Sequence, residues 1–221
     1  MPDPAANRST MVESQLRTID VTDPDLLDAM ASVPREEFLP GSLKPLAYSD
    51  RHLAVPASAR EPRYQLAPGP FARLVQLAEI GADDIVLVIG CATGYSPAII
   101  ARLASSVVAV EEDPDLAERA GRNLGDQGID NAAVVTGPLA EGWPKEGPYD
   151  VILVAGAVER LPAELTGQLK DGGRLVVVEG RGNAGQALLY RRSGDDIGSS
   201  FGFNASLPLL PGFEAEKSFV F

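Results

Sequence analysis

Between residues 85 and 179 the chain alternates apolar runs of strand length with stretches of helical spacing. This alternation restricts the fold more than any other feature. The runs are 85–89, 107–110, 132–135, 149–154 and 174–179. Several carry no polar alternate, as expected of strands buried on both faces. The intervening segments predict helices at 96–103, from Pro114 to Gly125, and at 162–170, the last stopped by Gly172-Gly173. Asp113-Pro114 is a start signal, because the carboxylate caps free N–H groups while proline fills the first helical position, where no donor is needed. Strict alternation implies right-handed crossovers and an α/β fold with a doubly wound, mostly parallel sheet.

The flanks differ. The first ten residues are polar and are expected to fray, whereas Asp23-Pro24 opens a helix to about Val33. Seven prolines between 34 and 70 forbid long regular elements and imply an extended covering segment. Phe71, Leu74, Val75 and Ala78 then share one helical face in a segment ending near Ile80. From residue 187 a β-hairpin is expected, with 188–190 and 219–221 as candidate strands. A length of 221 suits one domain, divided as an extension (1–70), a core (71–186) and the hairpin (187–221). The formal net charge of −12 argues against nucleic acid and anionic membranes as partners. Cys91 is the only cysteine, which excludes an internal disulfide and a cysteine-based metal cluster and suits a reducing cytoplasm. With no apolar run of membrane-spanning length and no leader pattern, the chain reads as neither secreted nor spanning.

The sharpest local signal is Gly90-Cys91-Ala92-Thr93-Gly94-Tyr95, where a strand turns through small residues into a helix. Small side chains admit a ligand to the backbone, and the helix start offers free N–H groups. Glu111, about 20 residues on and at the end of the next strand, stands where an acid binds ribose hydroxyls in doubly wound folds. The dinucleotide pattern G-x-G-x-x-G fails, since Ala92 and Tyr95 occupy two of its glycine positions. An NAD-dependent oxidoreductase is disfavoured accordingly.

The turn instead resembles the G-x-G-x-G loop of class I methyltransferases, with Ala92 in the middle position. The stretches 147–154 and 168–176 resemble the fourth and fifth strand motifs of that superfamily. Within it, Met11 to Leu16, Ala31 to Phe38, Ala47 to Asp50 and Gly142-Trp143-Pro144 are similar to protein-L-isoaspartate O-methyltransferases, a resemblance covering roughly 11 to 190. It implies S-adenosylmethionine as cofactor, S-adenosylhomocysteine as product, and a protein or peptide carboxylate, or a small molecule, as acceptor. It also implies a cofactor set of Gly90, Cys91, Ala92, Gly94, Glu111, Glu112, Thr136 and Gly137, with no metal. Three positions depart from the family. Leu66 stands for the serine of its Thr-Ile-Ser-x-Pro loop, Val88 for the acid near the end of the first strand, and Thr136-Gly137 for a Gly-Asp-Gly. No catalytic residue is therefore assigned, and a noncatalytic or altered-substrate member of the same fold is the alternative. His52 and Trp143 read as packing residues. Cys91 reads as a small volume filler with a helix-start setting that would make it reactive; Arg63 and Tyr64 read as contacts for a carboxylate at the cleft mouth, with a solvated loop arginine an at least equal reading of Arg63.

Overall fold

The computed structural model describes residues 3–58 and 62–214. Helix α1 (Pro4–Met11) begins on the Asp3 side chain, so from residue 3 onward the expected fraying is not found. Asp3-Pro4 is the same cap-and-proline device that opens α2 (Pro24–Ser32) and α5 (Pro114–Asp126). The proline-rich cover holds short 3₁₀ turns and a two-stranded antiparallel arm, β1 (Leu53–Val55) with β2 (Arg63–Gln65). Helix α3 (Pro68–Ala78) follows, then β3 (Ile85–Ile89), α4 (Tyr95–Ile100), β4 (Ser106–Glu111), α5, β5 (Ala132–Thr136), β6 (Tyr149–Val158), α6 (Ala163–Thr166), β7 (Leu169–Glu179), β8 (Gln186–Ser193) and β9 (Asp196–Asn204).

The seven-stranded sheet runs β5-β4-β3-β6-β7-β8-β9, parallel through β7 and antiparallel beyond it. Its order reverses at β3, which has β4 on one side and β6 on the other, leaving a crevice at the carboxyl ends of the strands. Val86 and Val88 pack on the face covered by α2 to α5, while Leu87 and Ile89 pack on the opposite face with Leu165, Leu210 and Phe213. All four are fully buried, worth about 1.5–3 kcal/mol each. A one-residue slip of β3 would exchange the two sets, so this register places Gly90 firmly.

Two expectations need correction. The helix at 162–170 shrinks to the four residues of α6, because Leu169 already pairs with Tyr149 as the start of β7. The hairpin is present, but the partner of β8 is 196–204, through a turn at Gly194 with φ 61°. The strand expected at 219–221 lies outside the described residues.

Candidate functional site

Gly90 leaves β3 with φ 81°, Ala92 sits at φ 49°, and Gly94 starts α4 at φ 97°. A left-handed conformation at a non-glycine residue needs external support. The Glu111 carboxylate supplies it, accepting the Ala92 N–H at 2.7 Å through Oε2. Its Oε1 accepts the Glu112 and Asp113 N–H groups at 3.0 and 3.3 Å. Val88, where the family has an acid, is an ordinary core side chain, and the Ala92 N–H is held by Glu111. Gly94 serves packing, since a Cβ there would lie 3.2 Å from the α5 backbone at Ala120.

The fourth bond to Glu111 comes from the cover. Arg63 of β2 donates from Nη2 to Oε2 at 3.1 Å, with 4% of the arginine and none of the glutamate exposed. A carboxylate has about four lone-pair sites, and here all are used. Burial pushes the Glu111 carboxyl above its ordinary value, against the pull of Arg63 and the three N–H groups. The guanidinium lies directly over the turn, 2.8 Å from where a Gly90 Cβ would be. Leu210, in the strap after β9, closes the same space from above, and fits only because residues 90 and 156 are glycines.

Among the described residues little room is left. One cavity, lined by Leu66, Gly90, Cys91, Ala92, Thr93 and Tyr95 among others, holds about 20 Å³, and a second between Arg63 and Leu210 about 10 Å³. Around this space Arg63 Nε and Nη1, Gln65 Oε1 and Thr93 Oγ1 are buried without hydrogen-bond partners. The strap is tied to the cover by His52, whose Nδ1 accepts the Ala67 N–H at 3.0 Å and whose Nε2 faces the Ser206 carbonyl at 3.1 Å. These partners select the Nε2–H tautomer, and burial holds the ring below its ordinary value of 6.5. The packing role expected of His52 is therefore a bridge between two segments. Asp113 adds another anchor: Oδ1 caps α5, and Oδ2 receives the Ser58 N–H and hydroxyl at 2.6 and 2.7 Å.

The remaining sequence candidates separate. Gly90, Cys91 and Ala92 line the cavity, and Leu66 faces it from the serine position of the family loop. Glu112 is exposed, and Thr136 and Gly137 stand one strand further out, with the Gly137 N–H bonded to the Glu111 carbonyl at 3.1 Å. Trp143 packs against Gly137. Cys91 is not the reactive thiolate its helix-start position suggested, because burial, reinforced by Glu111, pushes its pKa well above the ordinary value. Arg35 is fully buried, 4.7 Å over the Tyr95 ring, and holds the Ala47 and Leu66 carbonyls. Among the described residues no group of acidic, histidine or cysteine side chains is arranged to hold a metal ion.

The family model for protein-L-isoaspartate(D-aspartate) O-methyltransferase matches residues 6–201. The chain belongs to this family. It is 39% identical over 178 residues to the protein-L-isoaspartate O-methyltransferase of Koribacter versatilis, covering 80% of this chain and 78% of that one. A solved protein-L-isoaspartate O-methyltransferase superposes with a TM-score of 0.80 at 28% identity, over 93% of this chain and 66% of that one. A Plasmodium falciparum structure described as a putative member, in complex with S-adenosyl-L-homocysteine, shares the fold with a TM-score of 0.75 at 18% identity, over 92% and 97%. S-adenosylmethionine is the family's methyl donor. In this methyltransferase the backbone frame fits it: a switch-point crevice, a small-residue turn and an acid at the end of β4. The two cavities lined by the described residues do not fit it, since a small-molecule site takes about 300 Å³ or more and Arg63 and Leu210 occupy the place.

Proposed function

We propose that the chain transfers a methyl group from S-adenosylmethionine to a protein or peptide carboxylate, with the isoaspartyl carboxylate as acceptor. The observation that carries this is the family match across 6–201 falling on a sheet whose strand order reverses at Gly90, beside Glu111. Gly90, Cys91 and Ala92 are the floor for the cofactor, Glu111 the acceptor for its ribose hydroxyls, and Glu112, Thr136 and Gly137 the outer wall. Gly94 contributes by fixing α4 against α5. When bound, the cofactor supplies an electrophilic methyl group. The protein's part is to hold a carboxylate in line and exclude water, which needs positioning more than a strong base. The net charge of −12 supports a protein substrate over nucleic acid, and the lone, buried thiol supports the cytoplasm. Among the described residues no helix is long and apolar enough to cross a membrane.

Titration with S-adenosylhomocysteine and a methyl-transfer assay on an isoaspartyl peptide and its aspartyl twin test the reading. Saturable binding and ester formation on the isoaspartyl peptide alone are expected. Absence of transfer to either peptide at saturating cofactor overturns it. The filled crevice favours a second reading, a noncatalytic or altered-substrate member of the same fold, and that outcome would support it.

A further inference from the structure

Arg63 is overbuilt for a structural ion pair. A guanidinium matches a carboxylate through two parallel bonds, yet Arg63 gives Glu111 only one, because both Oε1 sites belong to backbone donors. Its Nε and Nη1 are buried with no acceptor. An unpaired buried donor is costly because its lost hydration is not repaid, and more so when charged. Such groups in a crevice point to a ligand that brings the missing acceptors. Nε and Nη1 lie on different edges of the guanidinium and each completes a two-bond fork only together with Nη2, so a planar carboxylate gains both bonds once Nη2 leaves Glu111.

We propose that Arg63 is the residue that selects and orients the acceptor's carboxylate, and that it rests on Glu111 until the cofactor's ribose hydroxyls displace it. This rests on the methyltransferase reading above. Because Glu111 has no free lone-pair site, it receives ribose donors only by giving up a bond, and Arg63 is its one partner outside the turn and the β4–α5 junction. The released guanidinium stays on β2, in the arm that also carries Leu66 next to the cavity. Where the family loop offers a serine hydroxyl, this chain offers an apolar side chain at residue 66 and a cation three residues earlier. Cofactor and acceptor are then linked. Cofactor binding frees the clamp, and by reciprocity a bound carboxylate that holds Arg63 away from Glu111 tightens cofactor binding.

The test uses the full chain and two variants, Arg63→Met, which keeps much of the volume, and Arg63→Lys, which keeps the charge. Both are checked for native melting before use. Titration with S-adenosylhomocysteine is expected to show Arg63→Met binding at least tenfold tighter than wild type, because the internal competitor is gone. Equal affinity overturns the displacement. In the presence of saturating S-adenosylhomocysteine, wild type should bind a labelled isoaspartyl peptide at least tenfold better than the same peptide with that carboxylate as an amide. Arg63→Met should lose the discrimination and Arg63→Lys keep part of it. Unchanged discrimination in Arg63→Met overturns the clamp. If neither wild type nor Arg63→Met binds S-adenosylhomocysteine, the methyltransferase reading falls together with the proposal. If both results appear as expected but no ester forms, only the methyltransferase reading falls.

Discussion

The turn after β3 and the cover above it meet at Glu111 but are assembled on different terms. The turn is local: Gly90, Ala92 and Gly94 adopt positive φ within one short stretch, held by an acid from the neighbouring strand. The cover joins β2 to the strap beyond β9, and a single arginine, a single leucine and a histidine bridge do the joining. The turn keeps its shape with Ala92 in its middle and Val88 beneath it because Glu111 holds the Ala92 N–H, whereas the cover over it depends on a few side chains distant in the chain.

Removing the shared residue should have the largest effect. Glu111→Ala takes the acceptor from Ala92 and leaves Arg63 as an uncompensated buried charge, which should cost about 3–5 kcal/mol in a denaturant titration. A loss below about 1 kcal/mol would show that the turn stands without it. Gly156→Ala attacks the cover alone. Its Cβ would lie 2.6 Å from Leu210 Cγ, so the strap has to lift. We expect a cost of about 1–3 kcal/mol together with tighter S-adenosylhomocysteine binding. Unaltered affinity would mean that Leu210 does not compete for the site. Leu66→Ser restores the family hydroxyl beside the cavity and should raise the methylation rate of an isoaspartyl peptide about tenfold, or roughly 1.4 kcal/mol of transition-state stabilisation. A rate indistinguishable from wild type would remove residue 66 from the acceptor path.

The smallest effect concerns pH. Burial lowers the His52 pKa below 6.5, opposed by the Ser206 carbonyl and Asp50 and assisted by Arg35. The folded protein therefore prefers the neutral ring. The stability this contributes is fully present above pH 6.5 and is lost as the pH falls below it, because protonation removes the acceptor for the Ala67 N–H. About 1 kcal/mol, the net worth of one hydrogen bond, should disappear between pH 7.5 and 5. His52→Gln should flatten that part of the melting profile, and a variant with the wild-type slope would assign the slope to another group.

These outcomes bear on what a sequence makes legible. The parallel core, the switch-point turn, the position of Glu111 and the Asp-Pro helix starts were readable because each depends on neighbours close in the chain. Asp3-Pro4 carries the same signal, masked by the polar residues around it. Strand β9 is not legible because it is an exposed edge with Gly198 and Gly202 inside it, although Gly194-Asp195 is a turn signal directly after β8. The exhaustion of Glu111 was out of reach, since nothing near Arg63 in the sequence states where β2 docks. Val88 in place of a family acid reads as a loss, yet in the structure it is core packing and the turn is held by Glu111.

Asp113 also bears on the order in which the molecule assembles. One of its oxygens caps α5 within three residues, a contact available as soon as that helix nucleates, while the other waits for Ser58, 55 residues upstream. The helix start can therefore form in the folding nucleus, and the cover docks onto a carboxylate already fixed in place. Weakening the Ser58 contact should accelerate unfolding and leave the refolding rate nearly untouched, whereas losing the cap should slow refolding. A single side chain thus separates the step that builds the frame from the step that closes it.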